Sequence, residues 1–483
     1  LIGGLAGDAL TDADQNTVVG FNALSSDTKG SQSVAIGQGA LFSQNFATSF
    51  DCNNVAVGHN AGVLSTTGVE NTLIGAFAGD ALTDADYNTA VGTNALSSDT
   101  LGSKSVALGR SALAVQNFTT ATNSYNTAVG YEAGKAVTTG VQNTFVGGLA
   151  GDGTDDGDAN VAVGYATLSA NCGDNNTAVG TGAMTGATGS DNTFMGRSAG
   201  LALSAGIKNT AVGAFALDRE TSGSFSTAVG YQALTNQIIP NGSIHNTAVG
   251  YNAAVSVSTG IQNTIIGSQA GDALTDADYN TVLGYSALGS DTLGSRSVAI
   301  GRSTLSVQNF TTATNTNNTA VGYAAGPLVT TGYSLTFVGA DAGGSHTTGA
   351  QCTFIGSESG NFATTSDNST FVGHEAGRGI TGTKLTGNSN TAVGTFAGAN
   401  LQGAAHSNTA IGKSTGGGIT TGVENTCLGE SAGDSIQTGS NNIIIGHNAD
   451  PSASNNTNAI VIGENITGAS NDFSFGKASN VVS

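Results

Sequence analysis

The side chains with the reactivity for catalysis are few in this 483-residue sequence, and they are not gathered. Six histidines are scattered along it: His59, His245, His346, His374, His406 and His447. His59, His374 and His447 follow a recurring glycine, in a slot that elsewhere holds Tyr, Phe or Arg. A slot that accepts all of these reads as surface decoration. Gly-x-Ser-x-Gly phrases occur, among them Gly196-Arg197-Ser198-Ala199-Gly200 and Gly429-Glu430-Ser431-Ala432-Gly433. A nucleophile elbow needs a helix after its serine, and no helical period follows either phrase. Gly412-Lys413-Ser414 has the end of a phosphate loop, but Ser407 stands where the leading glycine belongs. Cys52, Cys172, Cys352 and Cys427 are far apart without metal-ligand spacing, and read as small buried hydrophobes. No catalytic, cofactor-binding or metal residue is assigned on this basis, and the chain reads as not an enzyme.

Acidic loops are the remaining candidates. Asp152-Gly153-Thr154-Asp155-Asp156-Gly157-Asp158 sets four carboxylates in a glycine-flexed loop, the hard oxygen ligands that Ca²⁺ prefers. Its spacing is not that of an EF-hand, and it lacks the terminal Glu. Asp80, Asp84 and Asp86 are echoed by Asp272, Asp276 and Asp278. Solvated acidic loops are the expected reading of all three groups, so no cofactor is assigned. Aromatics after the recurring glycine (Phe21, Tyr131, Tyr165, Tyr231, Tyr251, Tyr285, Tyr323) offer a stacking ladder for glycans, with packing between coils or chains as the favoured reading.

Composition narrows the class. The chain holds 73 Gly, 3 Pro and no Trp, with 10% charged and 38% hydrophobic residues. Collagen needs Gly at every third position and abundant Pro. Disorder needs low hydrophobicity. The formal net charge of −20 makes nucleic acid a poor partner, since binding it requires a basic surface. No run of about 20 apolar residues is present, so no membrane insertion by this segment is expected. The sequence opens at Leu1 inside a repeat, which reads as a fragment or processed product.

The elements that must position these residues come from one repeat. The phrase Asn88-Thr89-Ala90-Val91-Gly92 recurs as Asn126-Thr127-Ala128-Val129-Gly130, Asn246-Thr247-Ala248-Val249-Gly250 and Asn390-Thr391-Ala392-Val393-Gly394. Ser33-Val34-Ala35-Ile36-Gly37 and Ser297-Val298-Ala299-Ile300-Gly301 are variants. The closing glycine returns mostly every 17 residues, with some steps of 16, 18, 20 or 21. Such an array of about 27 units fills residues 1–476 and leaves 477–483 as a C-terminal tail. The stretch Gly75 to Gly130 nearly repeats as Gly267 to Gly322, which points to block duplication.

Positions are numbered from the closing glycine. Position −1 is Val, Ile, Leu or Met, −3 is mostly Thr or Val, and −2 is Ala, Phe, Val, Leu or Ile. Side chains alternate along a strand, so both faces are apolar and both are expected to be buried. Ala at +3, followed by Leu or Gly, predicts a short return strand. A unit of this size cannot bury its own apolar face, but stacked units can. At one strand spacing of about 4.8 Å per coil, the array would make a rod roughly 130 Å long. The Asn at −4 is expected to stack as an amide ladder.

The Ser-Val-Ala-Ile-Gly phrases at 33–37 and 297–301 resemble the head repeat of trimeric autotransporter adhesins of the YadA type. The Asn-Thr-Ala-Val-Gly-Tyr-x-Ala-Gly phrases are similar to repeats of phage tail fibres. The resemblance spans nearly the whole chain. It implies an all-β parallel β-roll or β-solenoid, left-handed, assembled as an elongated homotrimer. One strand face would fill the roll and the other would seal the three-chain axis. Family coils run shorter than these, which leaves handedness and cross-section open. It further implies an extracellular location, on a cell or virion surface, and attachment to a host glycan or protein receptor. The alternative is a structural filament, sheath or spacer without a receptor site. A third class, an enzyme on a β-solenoid, needs a paired-carboxylate or basic groove that the repeated loops do not suggest.

Overall fold

The structure, a computed structural model, describes residues 1–240 and 242–482. Among them every regular element is a strand, and the chain winds as an all-β parallel solenoid of about 27 turns. It divides into two compact units, Leu1–Ile244 and His245–Ser483.

In the first unit the three-residue strands occupy positions −3 to −1, from Thr17–Val19 and Val34–Ile36 through to Thr227–Val229. Each pairs in parallel with the next without a register shift, as in Thr89↔Val106, Ala90↔Ala107 and Val91↔Leu108. The second unit repeats this from Thr247–Val249 to Ile460–Glu464 and Phe473–Lys477. There Gly463 pairs with Gly476, so the glycine ladder reaches 476. Asn480–Val482 folds back antiparallel on Phe473–Lys477.

β-Branched Thr, Val and Ile favour the extended strand, and the closing glycine ends it. Gly92 has φ +137, and a Cβ there would lie 2.5 Å from the Gly109 carbonyl oxygen. Only a residue without a side chain lets successive backbones approach so closely.

The core lies on the even side of the strand. Position −2 is fully buried, together with the Ala at +3. Volume is balanced within many coils and between neighbours. Where −2 is Ala, +4 is commonly a buried Leu, as in Ala90 with Leu96 and Ala211 with Leu217. Where −2 is Phe, +4 is Gly: a Cβ at Gly151 would come within 2.4 Å of the Phe145 ring, and one at Gly377 within 2.4 Å of Phe371. Close packing permits one large group per coil at this point. In the second unit Phe337, Phe354 and Phe371 stack face to face, with centroids 4.9 and 4.8 Å apart.

One expectation is corrected. The step at +3 and +4 is a turn, not a return strand. Positions +2 and +4 take left-handed backbone (Asn22 φ 56, Leu24 φ 47), and Ala23 N–H donates to the Gly20 carbonyl at 3.4 Å. Alternating left-handed residues cannot continue a strand. The two strand faces differ in burial. A single chain buries only the even face and leaves −1 and −3 mostly half-exposed.

Candidate functional site

Strand alternation puts −3, −1 and +1 on the outer face, flanked by the turn residue at −5. Successive coils stack these positions into four columns. The inner two are Thr or Val at −3 and Val, Ile, Leu or Met at −1. Ile74 is 38% exposed, Met195 44% and Leu283 45%, and such side chains recur rung after rung. The +1 column carries the tyrosines, from 43% exposed at Tyr231 to 60% at Tyr165. The −5 column carries Tyr87, Tyr125 and Tyr279, also about half exposed. Cations sit over neighbouring rings in the same column: Lys104 over Tyr125 at 5.2 Å, Arg110 over Tyr131 at 5.6 Å, and Arg302 between Tyr285 and Tyr323 at 5.9 and 5.8 Å. Further along, Lys413 pairs with Glu430 at 3.0 Å and Lys477 with Glu464 at 2.8 Å.

Behind this face runs the asparagine ladder. Asn143 Nδ2 donates to the Gly157 carbonyl at 2.8 Å, and its Oδ1 accepts from Asn160 N–H at 2.9 Å. The same bonds recur with the coil period, as at Asn263 and Asn425. The expected amide stack is therefore mainly a side chain-to-backbone ladder, with direct amide contacts such as Asn442 Nδ2 to Asn425 Oδ1 at 2.9 Å.

The ladder is interrupted where Leu335 and Cys352 take the −4 position. Cys352 Sγ donates to the Ser366 carbonyl at 3.0 Å, doing the work of the amide. For Leu335 the missing donor comes from His346, whose Nε2 lies 2.9 Å from the Gly349 carbonyl. His346 Nδ1 lies 3.0 Å from the Ala363 carbonyl, and its ring packs edge-on against Phe337 and Phe354. Burial holds its pKa below the usual 6.5, while the two carbonyls pull it the other way. This buried role was not visible in the scatter of histidines.

A second buried network was also missed. Asp99 Oδ1 accepts from Gly102 and Phe118 N–H, each at 3.0 Å, and its Oδ2 accepts from Gln116 Nε2 at 2.6 Å. Gln116 also reaches Ser105 Oγ at 2.8 Å and accepts from Asn126 Nδ2 at 2.9 Å. The clamp recurs as Asp27 with Gln44, Glu220 with Gln237, and Asp291 with Gln308. Each clamp stands where a coil is lengthened, beside a two-residue parallel bridge such as Gly102–Ser103 with Thr122–Asn123. It explains the Ser-Val-Ala-Ile-Gly variant. The glutamine amide fills the space of the usual Asn, so a small Ser stands at −4.

The acidic loops spend carboxylate oxygens on coil-to-coil hydrogen bonds. Asp158 Oδ1 accepts from Val141 N–H at 2.8 Å, and Asp155 from the Thr138 hydroxyl. Asp86 and Asp278 accept from Val69 and Ile261 N–H at 2.8 and 2.7 Å. Asp84 and Asp276 accept from the hydroxyls of Thr67 and Thr259. Burial raises the pKa of Asp80 and Asp272. Among the described residues no three His, Cys, Asp or Glu side chains converge as a metal-binding group. All four cysteines are buried free thiols, and burial pushes Cys427 up to about 12. Ser198 and Ser431 of the Gly-x-Ser-x-Gly phrases are ordinary +2 turn residues with φ 55 and 54. Among the described residues no helix is long and apolar enough to cross a membrane.

No known family model matches the chain, and no curated protein is detectably similar to it.

Proposed function

We propose that the chain is a non-catalytic fibre segment that assembles as a parallel homotrimer outside the cell and serves attachment to a surface. The observation that carries this reading is the outer strand face. A soluble monomer rarely exposes a long contiguous apolar stripe, and such a stripe marks an interaction surface. The −1 column supplies one, flat and repeated on every rung. A three-fold axis lets three identical faces cover one another, and closure keeps the contact from propagating. The resemblance of the repeat to fibre and adhesin heads supports attachment as the role, with a glycan or protein receptor as partner. The near-identical blocks Gly75–Gly130 and Gly267–Gly322 favour a second reading, a spacer whose length matters more than any one surface.

Light scattering on the purified chain tests the assembly: three masses of 47.3 kDa are expected, and a stable monomer would overturn it. Glycan-array binding by that trimer separates attachment from the spacer.

A further inference from the structure

The outer face changes character at the end of the second unit. From Thr247 to Thr426 the strands of that unit set Thr at −3, with Val298 as the one exception. The next three rungs carry Ile443, Ile460 and Phe473 there, with Ile445, Ile462 and Phe475 at −1. No hydroxyl remains among these side chains. Ile443 is 40% exposed, Phe473 53% and Phe475 54%. On no other rung does Phe stand at −3 or −1; in the other strands of this unit it is buried at −2, as in Phe337. Covering a Phe ring is among the largest apolar gains a side chain offers, so two half-exposed rings on one rung mark a contact surface.

The rim of this patch is polar and already satisfied. At the +1 margin Lys477 pairs with Glu464 at 2.8 Å. At the −5 margin Asn458 Nδ2 donates to Asn471 Oδ1 at 2.9 Å. An apolar centre within a polar rim is the anatomy of a protein–protein contact, and covering it strands no charge. The occupant is a second and a third copy of this chain, in the trimer proposed above, on which this inference rests. The patch continues the same −3 and −1 columns that the trimer covers, so copies seated on the Thr and Val rungs cover it as well.

Those Thr and Val rungs are so alike that their faces could meet in many alignments of nearly equal merit. The rung Phe473–Lys477 is unlike every other. Phenylalanine rings from neighbouring chains pack on one another only when these rungs are brought together. Association must also offset the freedom the chains lose, and a Thr and Val rung covers little apolar surface. The rungs from Ile443 to Phe475 supply that gain in one place. We infer that they are the anchor at which the chains first associate, and from which the correct alignment spreads along the array.

Assembly from the denatured full-length chain tests this. Phe473→Ser with Phe475→Ser is compared with Ile355→Ser with Ile411→Ser, two −1 residues of the same unit at 38% and 43% exposure. Light scattering follows the growth of mass to trimer at one chain concentration. The phenylalanine variant is expected to assemble on the order of a hundredfold more slowly than the parent, and the isoleucine variant within about threefold of it. Hydrogen exchange of the Ile460–Glu464 amides checks that the last coils of the phenylalanine variant are formed. If they are not, hydroxyl-radical oxidation of the parent decides. In the trimer both rings should be oxidised at least about fivefold more slowly than Phe42, an exposed ring off the outer face. Equal assembly rates of the two variants, or rings oxidised as fast as Phe42 in a chain that scatters as a trimer, overturn the anchor and leave the trimer standing. A mass above three chains that falls to three in the phenylalanine variant assigns the rings to a contact between trimers, and overturns the anchor too. A monomeric mass for the parent removes the trimer reading itself.

Discussion

Replacing Asn143 by Ala isolates one rung of the buried ladder. The parent side chain holds the Gly157 carbonyl at 2.8 Å and the Asn160 N–H at 2.9 Å. Both backbone groups point into the interior, where Asn143 and Asn160 are fully buried. Removing the amide strands one acceptor and one donor. A buried polar group left unpaired costs about 1–3 kcal/mol, so Asn143→Ala is expected to cost about 2–6 kcal/mol. Stacked repeats do not unfold in one step, so a global melting curve would dilute a local loss. Native-state hydrogen exchange is the better assay. The Asn160 amide should exchange at least about 30-fold faster, the equivalent of 2 kcal/mol, while amides several coils away keep their rates. If its protection is unchanged, the ladder is ornamental and the reasoning fails.

Three further outcomes follow from the same structure. Asp99→Asn should cost about 1–3 kcal/mol by facing an amide N–H₂ with the Gln116 N–H₂, and adding Gln116→Glu should restore most of it; chemical denaturation of the double variant checks the inversion. His346 has its pKa depressed in the fold, so its contribution is complete above about 6.5 and is lost as pH falls through the lower folded value. A pH series comparing hydrogen-exchange protection around residue 346 in the parent and in His346→Leu should show the difference shrinking as the solution is acidified; a difference that widens would mean that the two carbonyls hold the ring as imidazolium. Burial pushes Cys52 and Cys352 up to about 11 and Cys427 to about 12, so a thiol reagent at neutral pH should label the native protein slowly and the unfolded chain at four sites; rapid native labelling would contradict their burial.

Much of this fold was legible because one rule is restated on every turn. The closing glycine, the β-branched −3 and −1 and the buried −2 can be read from any single phrase, and aligned copies give the register. The turn at +3 was misread because a short Ala-Leu step looks like a strand until its neighbours' left-handed backbone is seen. The balance between Phe145 and Gly151 was hidden because the partners belong to different parts of one coil. The Asp99–Gln116 clamp was present as a pattern: a carboxylate 17 residues before a Gln, next to a coil with Ser at −4. It emerges only after the coils are laid over one another. His346 had no sequence signal of its own, since its task is set by what Leu335 lacks. The acidic loops read as solvated, and the structure gives Asp84, Asp86, Asp155 and Asp158 amide or hydroxyl donors on the preceding turn.

Within each unit the unshifted pairing of one rung with the next makes most boundaries alike. A stretch of gene that begins and ends on the glycine codon can be lost or copied by recombination between similar stretches, and the surviving neighbours still match. The near-repeat of Gly75–Gly130 at Gly267–Gly322 fits such an event. Selection on such a gene can adjust reach in whole steps, as on a ruler, while leaving the interior chemistry untouched.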